Sequence, residues 1–489
     1  MCNSKNTARS ACCSEAENQP LGIKTKSSSG SNRPKMRENR RQRYDLVNTA
    51  RKIFAYAGKR DGLEYVLNYH KTAKCKHIMV RDGVHVMKST EHDSAFYAGL
   101  VVCGRIWTCP VCGALIQERR REEVSTAMEH FRGQRNKQAA MITLTFSHKF
   151  GDDLEDLLEK QTKALEKLRS GDVWQSFKEV FGFDGLIRSL ELTFGDNGYH
   201  PHTHELWFID QNVNRKRLDA YLKAKFRAKK HHAKRDRLLG MTPRAVFKEL
   251  LIDRWEMCCE KVGLIDPAKR DAFRTHSVDV KFNARNSDYL AKQDSSSHWG
   301  ADRELAKATS KQGKKKGVHP FMFLEKFKET GDTIWSHRWL QYSKAMHNKR
   351  QMYWSAGLKE RVGLLDKSDE EIAVEEEDQA IQVAVLNKQQ WRKVANNELQ
   401  WLVLDVAEEA TGEAVLAVVD NMPEAETVEK SVEHVEVKPP ERYQLTGEEL
   451  DEVTDSFKKT MKTKDEYIPP KIEPTMARKY SEFSWALKK

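Results

Sequence analysis

"GYHPHTHELWF", residues 198 to 208, sets three histidines at alternate positions, His200, His202 and His204, ahead of an apolar run. Side chains in a strand alternate faces, so His202 and His204 point the same way, about 6.5–7 Å apart along the chain. Two imidazoles so placed can share one metal ion. Leu206 and Phe208 continue that face, and Trp207 and Ile209 line the other. This pattern predicts a strand buried on both faces at its far end, and therefore central in its sheet. Histidines on a central strand are costly unless they have partners. An isolated His-x-His is more often a polar hairpin end facing water, so the neighbouring residues decide.

The run before it, "GLIRSLELTF", reads as a second strand, joined to the first through Asp196, Asn197 and Gly198, which have hairpin chemistry. A hairpin folded at Asn197 brings Glu191 across from the region of His202 to His204. A carboxylate with two imidazoles makes a divalent-cation site with open positions for substrate oxygens. The plainer reading of Glu191 is a surface strand charge or a partner of Arg188. Further out, "AAMITLTF" alternates as a strand, and Leu154, Leu157, Leu158, Leu165 and Leu168 fall at helical spacing. "HSVDVKF" alternates as a strand, with Val278, Val280 and Phe282 on one side. Thr242-Pro243 opens a helix as N-cap and first-turn residue. In "DYLAKQ", Tyr289 and Lys292 stand at i and i+3 on one helix face. A tyrosine with a pKa of about 10 is a poor nucleophile at neutral pH. A nearby ammonium and a metal polarising the electrophile would make it competent. Taken alone, the pair reads as a buried tyrosine beside a solvated lysine.

Nine cysteines are too few and too unevenly spread for a disulfide scaffold in a chain of 489 residues. Three of them, Cys103, Cys109 and Cys112, have C-x5-C-x2-C spacing with "CPVC" as a knuckle. Cys75 lies upstream, beyond a hairpin-like stretch. Four thiolates fit a tetrahedral structural Zn²⁺ site. Cys75 is the least constrained of the four, with His77 or His70 as substitutes. Zinc there would fix a small ribbon. Cys2, Cys12, Cys13, Cys258 and Cys259 show no such spacing.

The formal net charge of +12 and pI near 9.0 suggest a polyanionic partner. Mean hydropathy is −0.73, and no apolar run approaches the roughly 20 residues that span a bilayer. With no signal-peptide segment at the N-terminus, the reading is a soluble, cytoplasmic protein without a membrane partner. Residues 215 to 237 carry eleven Lys or Arg against two Asp, and 307 to 317 form a lysine-rich loop. Both read either as faces for DNA phosphates or as solvated surface. Residues 366 to 378 reverse the sign, with eight Asp or Glu and one Lys. The organisation expected is a disordered basic arm over 1–43, a helical lead-in and zinc-binding segment over 44–125, and a catalytic domain over 126–365. An acidic linker and small mixed segment over 366–421 and a mostly disordered tail over 422–489 would follow.

"MITLTF", then "HPHTHEL", then "YLAK", hosted in that order by a strand, a hairpin strand and a helix, resemble the rolling-circle replication initiators of bacterial plasmids, in the HUH endonuclease superfamily. "CGRIWTCPVC" and "HRWLQYSKAMHNKRQMYWSAGLKERVGL" resemble the large, zinc-cluster-containing plasmid branch. The resemblance covers roughly residues 44 to 420, and the order of the motifs makes it specific. It implies an α+β fold: a central antiparallel sheet with flanking helices, plus the zinc-binding ribbon and disordered termini. It implies that His202 and His204 bind Mg²⁺ or Mn²⁺, with Glu191 as third ligand by the hairpin argument. His200 either takes that third role or hydrogen-bonds the site. Tyr289 would attack a phosphate of the plasmid origin, single-stranded or in an extruded hairpin, leaving a 3′-OH and a 5′-phosphotyrosine. Lys292 would orient the metal or the phosphate. Host helicase and DNA polymerase are the implied partners. Gln293 stands where some members carry a second tyrosine, and no glutamate precedes Tyr289, so termination is left without an assigned residue. The competing readings are a transposase or relaxase of the same superfamily and a non-catalytic zinc-ribbon DNA-binding protein.

Overall fold

The computed structural model describes residues 33–60, 71–91, 93–284, 317, 319–374 and 379–424. Tyr289, Lys292, His70, Cys2, Cys12, Cys13, the lysine-rich loop through residue 316 and most of both terminal regions lie outside the described residues. Eight strands run among those described: β1 (Val84–Ser89), β2 (Ala95–Ala98), β3 (Lys137–Leu144), β4 (Gly185–Gly195), β5 (Gly198–Asp210), β6 (Val278–Lys281), β7 (Met352–Trp354) and β8 (Ala380–Leu386). They form a five-stranded sheet in the order β6-β3-β5-β4-β7 and a three-stranded sheet in the order β2-β1-β8. All pairings are antiparallel. With helices on the sheets, the class is the α+β arrangement expected from the sequence.

β5, the strand of the histidine run, is the central strand of the larger sheet. It joins β4 through Asp196 and Asn197, with Gly195 opposite Gly198. Gly198 sits at φ +80°, where a Cβ would meet Phe150 Cα at 3.3 Å, so glycine suits that turn on both counts. Each face of the sheet is covered. Ala140, Ile142, Leu144, Leu186, Trp207 and Ile209 pack under the helices Leu154–Leu168, Gly171–Phe181 and Pro243–Glu260. Met141, Ile187, Leu206 and Phe208, on the opposite face, meet Val124, Ala127, Met128 and Phe131 of the helix Pro110–Arg132. Phe131 stacks on Phe208 at 3.9 Å between ring centroids. That helix begins at Pro110, inside the "CPVC" knuckle. Cys109 caps it and Pro110 opens it, a start signal that the cysteine motif overprints. Thr242 caps the Pro243–Glu260 helix as expected, accepting from Ala245 N.

Two expectations change. The basic run "RPKMRENRRQR", read as part of a disordered arm, is the start of a helix, Arg33–Arg60. Two of its charges are matched: Arg40 pairs with Asp405 and Glu408, and Arg37 pairs with Glu409, all on the helix Gln400–Glu409. Within the acidic stretch, read as a linker, Asp369–Val374 is a helix with Ile372 and Ala373 buried. Asp369 pairs with Arg120 at 2.9 Å on the Pro110–Arg132 helix, and Asp366 pairs with Lys359 at 3.1 Å. Local composition hid both, because Asp405 and Glu408 lie hundreds of residues from Arg40, as Arg120 does from Asp369. β8, from the small segment after the acidic stretch, completes the sheet begun by β1 and β2.

Candidate active site and metal centres

The register of β4 and β5 pairs Glu191 with His202, Ser189 with His204 and Thr193 with His200. These residues share one face, continuous with Leu206 and Phe208. Glu191, His202 and His204 are the three residues of this face whose ligand atoms converge, all within 4.8 Å of one another. Glu191 Oε2 lies 3.4 Å from His202 Nε2 and 3.2 Å from His204 Nε2. Both imidazoles are held by their other nitrogen. His202 Nδ1 lies 3.0 Å from the carbonyl oxygen of His200, and His204 Nδ1 lies 2.9 Å from Thr143 Oγ1. Such partners leave each Nε2 free to face a cation and set the ring angle. Thr143 lies directly across from His204 on β3, which gives a physical role to the threonine of "MITLTF".

The donor set fits a divalent cation. Burial opposes ionisation of Glu191, yet the hydrogen bonds of His202 and His204 hold its carboxyl down to about 2. Its second oxygen, Oε1, is buried with no hydrogen-bond partner among the described residues, as is Ser189 Oγ. A buried carboxylate oxygen without a donor is costly, and a cation would satisfy it. One carboxylate and two imidazoles leave coordination positions for other oxygens.

Three further histidines surround this cradle. His200 turns toward His148, Nδ1 to Nδ1 at 3.2 Å, rather than joining the convergent set. Burial, then the neighbouring His202 and His148, push His200 down to about 3, and burial also lowers His148. Both rings are therefore neutral at physiological pH. His319 follows Gly317, whose Cα lies 3.4 Å from the Cβ position of Gly195 on β4. Burial pushes His319 down to about 3, while the charge of Glu191 acts the other way. The sequence drew attention to His200 but not to His148 or His319. Neither stands in a motif, and only the fold brings them to β5. Glu205, also in the quoted stretch, faces away. It is fully buried, paired with Arg169, and accepts from Trp207 Nε1 at 2.6 Å.

The four cysteines Cys75, Cys103, Cys109 and Cys112 form a second convergent set, buried throughout. Cys75, not His77, supplies the fourth sulfur. Sulfur separations of 3.5 Å for Cys75–Cys112 and 3.7 Å for Cys103–Cys112 and Cys109–Cys75 are too long for disulfides. They approach the roughly 3.8 Å edge of a tetrahedron with Zn–S of about 2.3 Å. Cys103 Sγ accepts from Arg105 N and Cys109 Sγ from Cys112 N, both at 3.5 Å, the backbone support usual for thiolates. Burial pushes the Cys103 and Cys109 thiols up, whereas hydrogen bonds from the other cysteines pull Cys112 down. Four thiolates in this space need a cation, so the set fits a structural metal. Cys258 and Cys259 are buried among the aliphatic and aromatic side chains under the sheet.

In the basic segment 215 to 237, several charges are matched within the protein. Arg215 pairs with Asp219, Lys234 with Asp253 and Arg237 with Glu249. No helix among the described residues is long and apolar enough to cross a membrane.

Residues 98–226 match a family described as replication protein, a span that includes Cys103, Cys109, Cys112, Glu191, His202 and His204. A "Protein rep" of Streptomyces lividans is 26% identical over 322 residues, covering 57% of this chain and 67% of that protein. A "Protein rep" of Staphylococcus aureus is 26% identical over 107 residues, 21% of this chain and 44% of that protein. A protein of Streptomyces cyanogenus called "Neomycin resistance protein" is 27% identical over 166 residues, 29% of this chain and 38% of that protein. The chain thus spans about two thirds of the first relative and less than half of the other two. No solved structure matches it. The family match lies over Glu191, His202, His204 and three of the four clustered cysteines, and relatives called "Protein rep" come from two genera, so the chain is similar to replication proteins.

Proposed function

We propose that this protein nicks one strand of plasmid origin DNA and later rejoins it, with Tyr289 as nucleophile. The observation that carries the reading is the convergence of Glu191, His202 and His204 at the hairpin end of a central strand, in a chain related to replication proteins. A divalent cation held by these three residues, Mg²⁺ or Mn²⁺, would supply Lewis acidity at the scissile phosphate. Thr143 and the carbonyl of His200 keep the two imidazoles oriented. Neutral His200 and His148 add no positive charge to compete with that cation.

In the proposed step the phenolate oxygen of Tyr289 bonds to phosphorus and the bond to the 3′ oxygen breaks. The DNA keeps a free 3′-OH, a primer for host polymerase, and the 5′ phosphate stays on the tyrosine. One phosphoester replaces another, so rejoining by the 3′-OH needs no ATP. Lys292 orients the phosphate or supports ionisation of the tyrosine. The four cysteines hold Zn²⁺ and fix the fold around the start of the Pro110–Arg132 helix.

The test uses single-stranded DNA spanning the cognate origin, with Mn²⁺, and gel detection of a covalent adduct. The expected outcome is an adduct with the wild-type protein and none with Tyr289→Phe. An undiminished adduct with that variant would refute the assignment.

A further inference from the structure

A second polar recess lies away from the cradle. It is a cavity of about 200 Å³ between the loop carrying Gly104 to Thr108 and the turn after the helix Thr333–Ala345, with the acidic helix Asp369–Val374 along one side. Its volume is below the roughly 300 Å³ at which cofactor and drug-sized sites begin, and well above the roughly 30 Å³ of one water. The walls are built. Trp107 is fixed by its Nε1, which donates to the carbonyl of Lys349 at 2.6 Å, and Tyr342 Oη donates to the carbonyl of Trp107 at 2.8 Å. Gly104 has φ +60°, and a Cβ there would lie 2.7 Å from Glu370 Cα, so the acidic helix is packed directly on the loop.

Two polar atoms of this lining are buried without partners among the described residues. One is Ser343 Oγ, on a residue with 0% exposure, and the other is Arg105 Nε. Arg105 also lies 3.5 Å from Glu370. Half-buried Lys349, which also lies in the field of Glu159, and exposed Arg350 complete the lining. An indole wall, a buried hydroxyl and guanidinium edge seeking partners, and two more cations in the lining together suit one class of ligand. That ligand is a nucleotide of a single strand, with its ring in the recess and its phosphate at the rim.

We propose that this cavity takes one nucleotide of single-stranded DNA, with Trp107, Ser343 and Arg105 against the base and Lys349 and Arg350 on the flanking phosphates. This rests on the DNA-nicking reading and adds a place where the strand is held apart from the metal cradle. Glu370 competes with the strand for Arg105.

The test is binding of full-length protein to a mixed-sequence single-stranded 15-mer without added metal, so that cleavage plays no part. Lys349→Ala/Arg350→Ala should weaken binding about tenfold and reduce the salt slope by about 1.4, the value for two single-strand phosphate contacts. Ser343→Leu, which fills the recess without changing charge, should lower affinity by a similar factor, and Glu370→Gln should raise it. Should Ser343→Leu fail to fold, acylation of Lys349 read by mass spectrometry replaces it, with protection expected on adding the oligonucleotide. Wild-type affinity in both the rim and recess variants, or a Lys349 footprint indifferent to DNA, overturns the proposal while leaving the nicking reading standing. Absence of binding by the wild-type protein overturns the proposal, while the adduct assay on origin DNA decides the nicking reading separately.

Discussion

At the scale of single residues, the cradle depends on nitrogens that point away from it. Thr143 Oγ1 and the His200 carbonyl decide which imidazole nitrogen faces Glu191. Thr143→Val keeps the shape of β3 and removes the partner of His204. It should weaken Mn²⁺ binding about 10- to 100-fold, the usual effect of losing such support, as calorimetric titration would register. His202→Ala removes a proposed ligand on a strand otherwise packed by Leu206 and Phe208. Nicking should vanish while single-stranded DNA binding persists, and joint loss of both would mean that the residue is structural. His200→Ala should do less than either, because the carbonyl that orients His202 is kept and only the stacking of the two rings at 4.8 Å is lost.

At the scale of elements, the helix Pro110–Arg132 connects the two ligand sets. Its first turn carries Cys112 and is capped by Cys109, and its last turns lay Met128 and Phe131 on the sheet face that bears the cradle. Phe131→Ala removes a ring stacked on Phe208 and should destabilise the protein by about 3–5 kcal/mol, measured by denaturant unfolding. If the proposed zinc is held here, Cys112→Ser should drop it from about one to none per chain by metal analysis and lower the melting temperature, because binding a structural metal adds to folding free energy. An unchanged melting temperature would detach the cluster from the stability of the fold. The hairpin, its turn, the central position of β5 and the placing of Glu191 opposite His202 were all legible in the sequence. Each follows from period-two alternation and turn chemistry within a window of about 25 residues. The helix start at Cys109 was masked because a cysteine there is read first as a ligand and only second as a cap.

At the scale of the whole molecule, the chain closes on itself. β8 lies against β1, and the basic start of the helix Arg33–Arg60 lies against the acidic face of Gln400–Glu409. Val84, Val86 and Tyr97 are therefore buried only in the presence of residues some 300 positions later, such as Leu386, Val403 and Leu404. A chain ending at residue 374 should expose β1 and β2. Limited proteolysis should cut it quickly between residues 80 and 100 while β3 to β5 stay protected, and equal resistance throughout would contradict this dependence.

Local pattern in the sequence was enough for the chemistry-bearing pieces: two histidines on one strand face, a carboxylate across a tight turn, and cysteines at knuckle spacing. These follow from strand and turn periodicity, which act over a few residues. Only the tertiary structure decided which residues complete the pieces. It brought Cys75 to the other three sulfurs, turned His200 to His148 instead of to the cation site, and paired the basic N-terminal helix with acids near residue 405. The physical reason is that burial and charge pairing are settled by contacts between distant segments. A run of like charge reads as solvated surface until the segment that neutralises it is in place.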